Sequence, residues 1–217
     1  SAGDYPDNLE RFSYYCHESL RLLKRLDEPV DVIHCHDWHT SLIPVLLKKR
    51  PDAYFEKTKT ILTIHNIGYQ GNFSCNFFSE GEFSDVLTCF RDWKRVSFLR
   101  EGIRYADFLT TVSPHHAREI REGKVSFGLK EVLSQKRGKF TGILNGIDYS
   151  VWDPRDDKFI PKPFNHTNVF SAKSENKLAL QKKLKLAVSS DIPLYGFIAR
   201  LTNQKGLELL VPQLKSV

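Results

Sequence analysis

Thr58-Lys59-Thr60-Ile61-Leu62-Thr63-Ile64-His65 reads as a short buried strand. From Thr60 to Ile64 it is wholly β-branched or aliphatic, and the run ends on a polar ring. Residues 30–35 form a similar β-branched run upstream, and residues 108–112 and 140–144 form two more downstream. Between them the apolar period changes from two to between three and four. Leu9, Phe12, Cys16, Leu20, Leu23 and Leu26 mark one helical face, stopped by Pro29. Leu42, Val45 and Leu46 mark a second, and Val96, Leu99 and Ile103 a third. Ser113-Pro114 supplies an N-cap and a first-turn proline for a fourth, and a further helix is expected around residues 129–133. Residues 66 to about 93 carry Gly68, Gly71, Gly81 and many aromatics, the mark of a long functional loop.

Alternating strands and helices predict an α/β fold, a parallel sheet with helices on both faces. Right-handed crossovers then bring every strand's carboxyl end to one edge, where open α/β sheets bind ligands. Residues 1–152 are expected to form this domain. The pattern lapses over residues 153–171, where Pro154, Pro161 and Pro163 mark a linker. A helix over 178–186, a strand over 193–199 and a helix from Gly206 then predict the truncated start of a second such domain, residues 172–217.

The 217 residues are 41% hydrophobic and 27% charged, the balance of a globular chain rather than a disordered one. The net charge of +6 is spread along the sequence, not gathered with aromatics into a stripe, so no nucleic-acid partner is expected. No apolar run reaches the roughly 20 residues of a membrane span. The start of the chain has no signal-peptide pattern, and the four cysteines form no C-x-x-C pair, which predicts reduced thiols in a cytoplasmic setting. The sequence contains no methionine, so it is expected to be an internal piece of a longer protein.

Four polar clusters follow strands. His34-Cys35-His36-Asp37-Trp38-His39 is the first. His34 and His36 share one strand face while Cys35 points to the other, and no second ligand group sits at metal spacing, so no metal site is expected. Hydrogen-bonded structural histidines remain one reading; a sugar site built from Asp37, Trp38 and His39 is the other. The second cluster, His65-Asn66-Ile67-Gly68-Tyr69-Gln70-Gly71, offers polar side chains and glycines that let the main chain approach a ligand. The third is Asn145-Gly146-Ile147-Asp148. The fourth, Arg200 to Gly206, places Arg200 and Lys205 on a strand-to-helix turn where both can neutralise a diphosphate; two solvated surface cations are the alternative.

Taken in order, these motifs resemble the glycogen and starch synthases. The resemblance is carried by His34-Cys35-His36-Asp37-Trp38-His39, Thr63-Ile64-His65-Asn66 with Tyr69-Gln70-Gly71, and Tyr105-Ala106-Asp107. It continues through Thr111-Val112-Ser113-Pro114, Gly142 to Asp148 with Trp152-Asp153-Pro154, and Arg200-Leu201-Thr202 with Gln204-Lys205-Gly206. It implies a retaining glucosyltransferase of the GT-B type, with twin Rossmann-like domains, a nucleotide-glucose donor (ADP-glucose or UDP-glucose) and an α-glucan acceptor. It implies no cofactor, and a plastid location if the source is a plant. His65 and Asp37 would meet the transferred glucose, and Arg200 and Lys205 the diphosphate, as catalytic residues. Trp38, His39, Asn66, Tyr69, Gln70, Gly71 and Asn145 would bind substrate. The family's Lys-x-Gly-Gly-Leu loop and its late glutamate motif are not in this sequence. Another GT-B glycosyltransferase, a glucan phosphorylase, or a catalytically dead glucan- or partner-binding remnant are the rival readings.

Overall fold

The computed structural model describes residues 5–74 and 95–214. Contacts divide the chain into two compact units, Ser1–Gly146 and Ile147–Val217. The first unit runs α1 (Asn8–Leu26), β1 (Val32–His36), α2 (Asp37–Thr40), α3 (Leu42–Lys49), β2 (Lys59–Ile64) and β3 (Asn72–Ser74). It continues with β4 (Arg95–Ser97), α4 (Phe98–Tyr105), β5 (Phe108–Thr111), α5 (Pro114–Glu122), α6 (Lys130–Ser134) and β6 (Phe140–Gly142).

The sheet order is β1-β2-β5-β6, and every neighbouring pair is parallel. Cys35 of β1 pairs with Leu62 of β2, and Leu62 with Leu109 of β5. These residues are buried against Leu42, Val45 and Leu46 of α3 and Leu99 and Ile103 of α4. Each such side chain contributes about 1.5–3 kcal/mol by leaving water. The expected parallel sheet flanked by helices is therefore present, and its carboxyl ends share one edge.

Local chemistry explains the element ends. Asp27, in the left-handed conformation at φ 53°, closes α1 before Pro29 is reached. The Ser113 hydroxyl accepts the His116 N–H at 2.9 Å and Pro114 opens α5, as the sequence predicts. Asp107 staples β5 to β2: its carboxylate accepts the Thr60 N–H at 2.8 Å and the Thr60 hydroxyl at 3.0 Å, and pairs with Lys48 at 3.4 Å. Burial alone would raise its pKa, but these donors outweigh that and hold the carboxyl below its usual range.

Expectations for the loop after β2 and for the second unit need correcting. The region after β2 is not simply loop: β3 pairs antiparallel with β4, so Val96 belongs to a strand and α4 begins only at Phe98. Residues 75–94 of that expected loop lie outside the described residues. In the second unit, α7 (Val169–Lys183) begins well before residue 178, a short 3-10 turn spans Asn203–Lys205, and α8 (Leu207–Gln213) follows. The strand expected over residues 193–199 does not form. A strand needs a paired neighbour, and no ladder occurs among the described residues of this unit. Tyr195 and Ile198 are left 86% and 101% exposed. Among the described residues, no helix is long and apolar enough to cross a membrane.

Candidate active site

The ends of β1 and β2 are sewn together by one carboxylate. Asp37, the first residue of α2, adopts a left-handed backbone at φ 54°, a conformation Asp tolerates better than most residues. Its Oδ1 accepts the backbone N–H of His65 at 2.7 Å and that of Asn66 at 3.2 Å. The backbone preceding it is braced by Thr40, whose Oγ1 accepts from the His36 N–H at 2.6 Å and donates to the His36 carbonyl at 2.9 Å. Asp37, His65 and Asn66 are thus brought together as the sequence suggests, with Asp37 gripping the chain that carries His65.

Histidines line this edge. His36 Nδ1 lies 2.9 Å from His65 Nε2, and His34 Nε2 lies 2.7 Å from Thr63 Oγ1. Thr63 in turn meets Thr110 Oγ1 at 2.5 Å, so polar contacts run across β1, β2 and β5. The His34 and His36 ring centres are 4.3 Å apart, and those of His36 and His65 are 5.2 Å apart. Partial burial, and then the neighbouring His34 and His65, push the His36 pKa below the ordinary imidazole value, against the pull of Asp37. These surroundings favour the neutral ring of His36.

Trp38 and His39 pack among the aromatic rings beneath the loop that follows β2. Trp38 is only 5% exposed and packs edge-on against Phe12 and Phe73, at 4.9 and 5.6 Å between ring centres. The His39 ring stacks on it at 4.1 Å and meets Phe12 at 4.7 Å. The apolar period of α1 carries Phe12 to this point, so both rings pack against it, while Trp38 also borders the cavity beside the loop. Trp38 supports the loop after β2. Gly71 sits over the indole at φ +59°, and a Cβ there would fall 2.5 Å from Trp38 Cε3. Only glycine meets both demands.

The other loop residues are placed individually. Asn66 Oδ1 accepts the Gly68 N–H at 3.1 Å, closing a tight turn. Tyr69 is exposed beside it. The Gln70 carbonyl accepts the Leu99 N–H at 3.0 Å, and its side-chain amide donates to the Phe127 carbonyl at 2.8 Å, so Gln70 latches two segments together. A cavity of about 450 Å³ borders this loop, with Tyr5, Tyr69, Asn72 and Arg95 among its lining. Asn145 is exposed beyond the end of β6, at the close of the first unit. In the second unit, Arg200 and Lys205 are exposed on one turn. The Arg200 carbonyl accepts the Thr202 N–H, and the Thr202 carbonyl the Lys205 N–H, both at 2.9 Å.

The residue that sequence reasoning passed over is His36. Its signal was present, because alternation along a strand puts His34 and His36 on one face; its partner His65, just past the end of the neighbouring strand, was not visible.

Fold and edge together define an α/β protein whose polar groups gather at the carboxyl ends of parallel strands. Residues 1–135 match the family model of the starch synthase catalytic domain. The chain belongs to that family. It is 42% identical over 215 residues to a glycogen synthase of Geotalea daltonii, covering 97% of this chain and 44% of the relative. A glycogen synthase of Rhodopirellula baltica is 39% identical, with 98% and 43% covered. Among solved structures, the catalytic domain of starch synthase IV from Arabidopsis thaliana, bound to ADP and acarbose, superposes with a TM-score of 0.81 at 34% identity. That match covers 99% of this chain and 45% of the other. The chain spans somewhat under half the length of the curated relatives it matches.

Proposed function

We propose that this chain forms part of a retaining glucosyltransferase that extends α-1,4-glucan from ADP-glucose. The observation that carries the reading is the Asp37 clamp, which fixes the backbone of an exposed His65 at the ligand edge of a starch synthase fold. The solved relative bound to ADP and acarbose supports both a nucleotide and a glucan-like ligand. In this reading His65 meets the hydroxyls of the transferred glucose. Asn145 holds the nucleotide, and Arg200 and Lys205 neutralise the diphosphate as it departs. The bond from the anomeric carbon to phosphate breaks, and a bond to the acceptor 4-hydroxyl forms on the same face. The hydroxyl proton passes to the leaving phosphate, so no protein nucleophile is required.

The direct test incubates the intact protein with glycogen and radiolabelled ADP-glucose or UDP-glucose. Label is expected in the polymer, released by an α-1,4-specific hydrolase and faster from ADP-glucose. No incorporation from either donor overturns the reading. The buried, unpaired thiols of Cys16 and Cys35 suit a reducing, cytoplasmic setting.

We assign residues 153–171 as the crossover between an acceptor-side domain and a nucleotide-sugar-binding domain. Part of this segment leans on α7, with the Asn176 amide bracketing the Lys162 backbone at 2.9 and 2.8 Å. Phe159, in the part of the segment before Lys162, is exposed, and its N–H is held by the nearby Asp157 carboxylate. Limited proteolysis is expected to cut within residues 153–171 before it cuts within residues 30–144. Earlier cleavage among the sheet strands would remove the boundary.

A further inference from the structure

We propose that His36 is a positioning residue for glucosyl transfer: by engaging Nε2 of His65 through its own Nδ1, it sets the ring orientation and tautomer of His65. The proposal rests on the transferase reading above and adds a residue to it. Two consecutive side chains at the end of β1 hold one residue at the end of β2. Asp37 takes the His65 backbone N–H at 2.7 Å, and His36 takes the ring at 2.9 Å. With Nε2 so engaged, Nδ1 is the ring atom left to face a sugar hydroxyl.

A neutral imidazole carries its proton on one nitrogen only. Whichever partner donates across the His36–His65 bond therefore fixes whether His65 Nδ1 donates or accepts. The bond has little to do for the fold. Both rings are exposed, and an exposed hydrogen bond largely exchanges with water. What the arrangement does provide is orientation, the usual task of a second residue behind a functional histidine. The titratable groups acting on His36 are His34 and Asp37 from its own segment and His65 from the end of β2. Their sum, with partial burial, favours the uncharged ring that such a bond requires.

The test uses the intact protein carrying His36→Ala or His36→Asn. For His36→Ala, kcat is expected to fall about 10–100-fold, with the donor KM nearly unchanged and the melting temperature held. His36→Asn places an amide near the position of Nδ1 and is expected to restore most of kcat. Ring-nitrogen NMR on histidine-labelled protein is expected to show one tautomer of His65 in the parent and a mixture in His36→Ala. Wild-type kcat in the alanine variant, or an unchanged His65 ring signal, overturns the proposal. So does a fall in kcat that follows a fall in melting temperature and is not rescued by asparagine. If the parent protein transfers no glucose, the transferase reading fails, while the NMR signal still decides whether His36 governs His65.

Discussion

Replacing His65 by alanine in the intact protein is expected to lower kcat by about 10²–10³-fold, the usual cost of losing one transition-state contact. Nucleotide affinity should change little, because the ring's partner in this reading is the sugar. Stability should also be nearly preserved. Asp37 grips the backbone N–H groups of His65 and Asn66, which alanine retains, and the imidazole itself is exposed. Surface substitutions that leave backbone bonds intact usually move stability by within about 0.5 kcal/mol. Turnover measured across a donor series, with a melting curve alongside, separates the outcomes. A lower melting temperature with near-normal turnover would make His65 a structural residue. Asp37→Ala is a different change: it orphans both N–H groups and releases the loop, so it mixes stability with activity and is a poorer probe of chemistry.

The sheet of the first unit was legible because its signals are local. The run Thr60 to Ile64 carries its burial in its own composition, and Ser113-Pro114 carries its cap within four residues. The strand expected at 193–199 is also largely apolar, yet it forms no ladder among the described residues, because pairing is a property of two segments and not of one. The fate of Trp38 was hidden for a related reason. An indole beside a candidate site can border a cavity and pack inward at once, and its packing depends on Phe12, 26 positions earlier, and on Gly71 above it. Gln70, read as a sugar ligand, lines the cavity beside the loop while its amide donates to the Phe127 carbonyl on a distant turn, a contact its own motif does not announce. Motif order pointed to Asp37, His65 and Asn66, and the structure brings these three together at one sheet edge. Which side chains meet is set by contacts between segments far apart in sequence, as for His36 and His65, 29 positions apart and 2.9 Å from ring nitrogen to ring nitrogen.

Arg200 and Lys205 offer the sharpest test of the proposed donor chemistry. Both are exposed on one turn of the second unit, on either side of the Thr202 backbone bonds. If each neutralises the diphosphate as it leaves, each screens the same developing charge. Removing either by Arg200→Ala or Lys205→Ala should then lower kcat by roughly 10²-fold or more, as for loss of a preorganised electrostatic contact. The two penalties should not add. Groups that act on one charge share part of its stabilisation, and coupled pairs deviate from additivity by about 0.5–3 kcal/mol. The double variant is therefore expected to lose less than the product of the two single losses. Lysine at position 200 should recover only part of the activity, since an ammonium lacks the planar fork that meets two phosphate oxygens at once. Melting temperatures should stay close to the parent value in all four proteins, because the two side chains are solvated. Penalties that multiply cleanly would assign Arg200 and Lys205 to separate tasks. Wild-type turnover in both single variants would leave them as surface cations and remove the diphosphate from this turn.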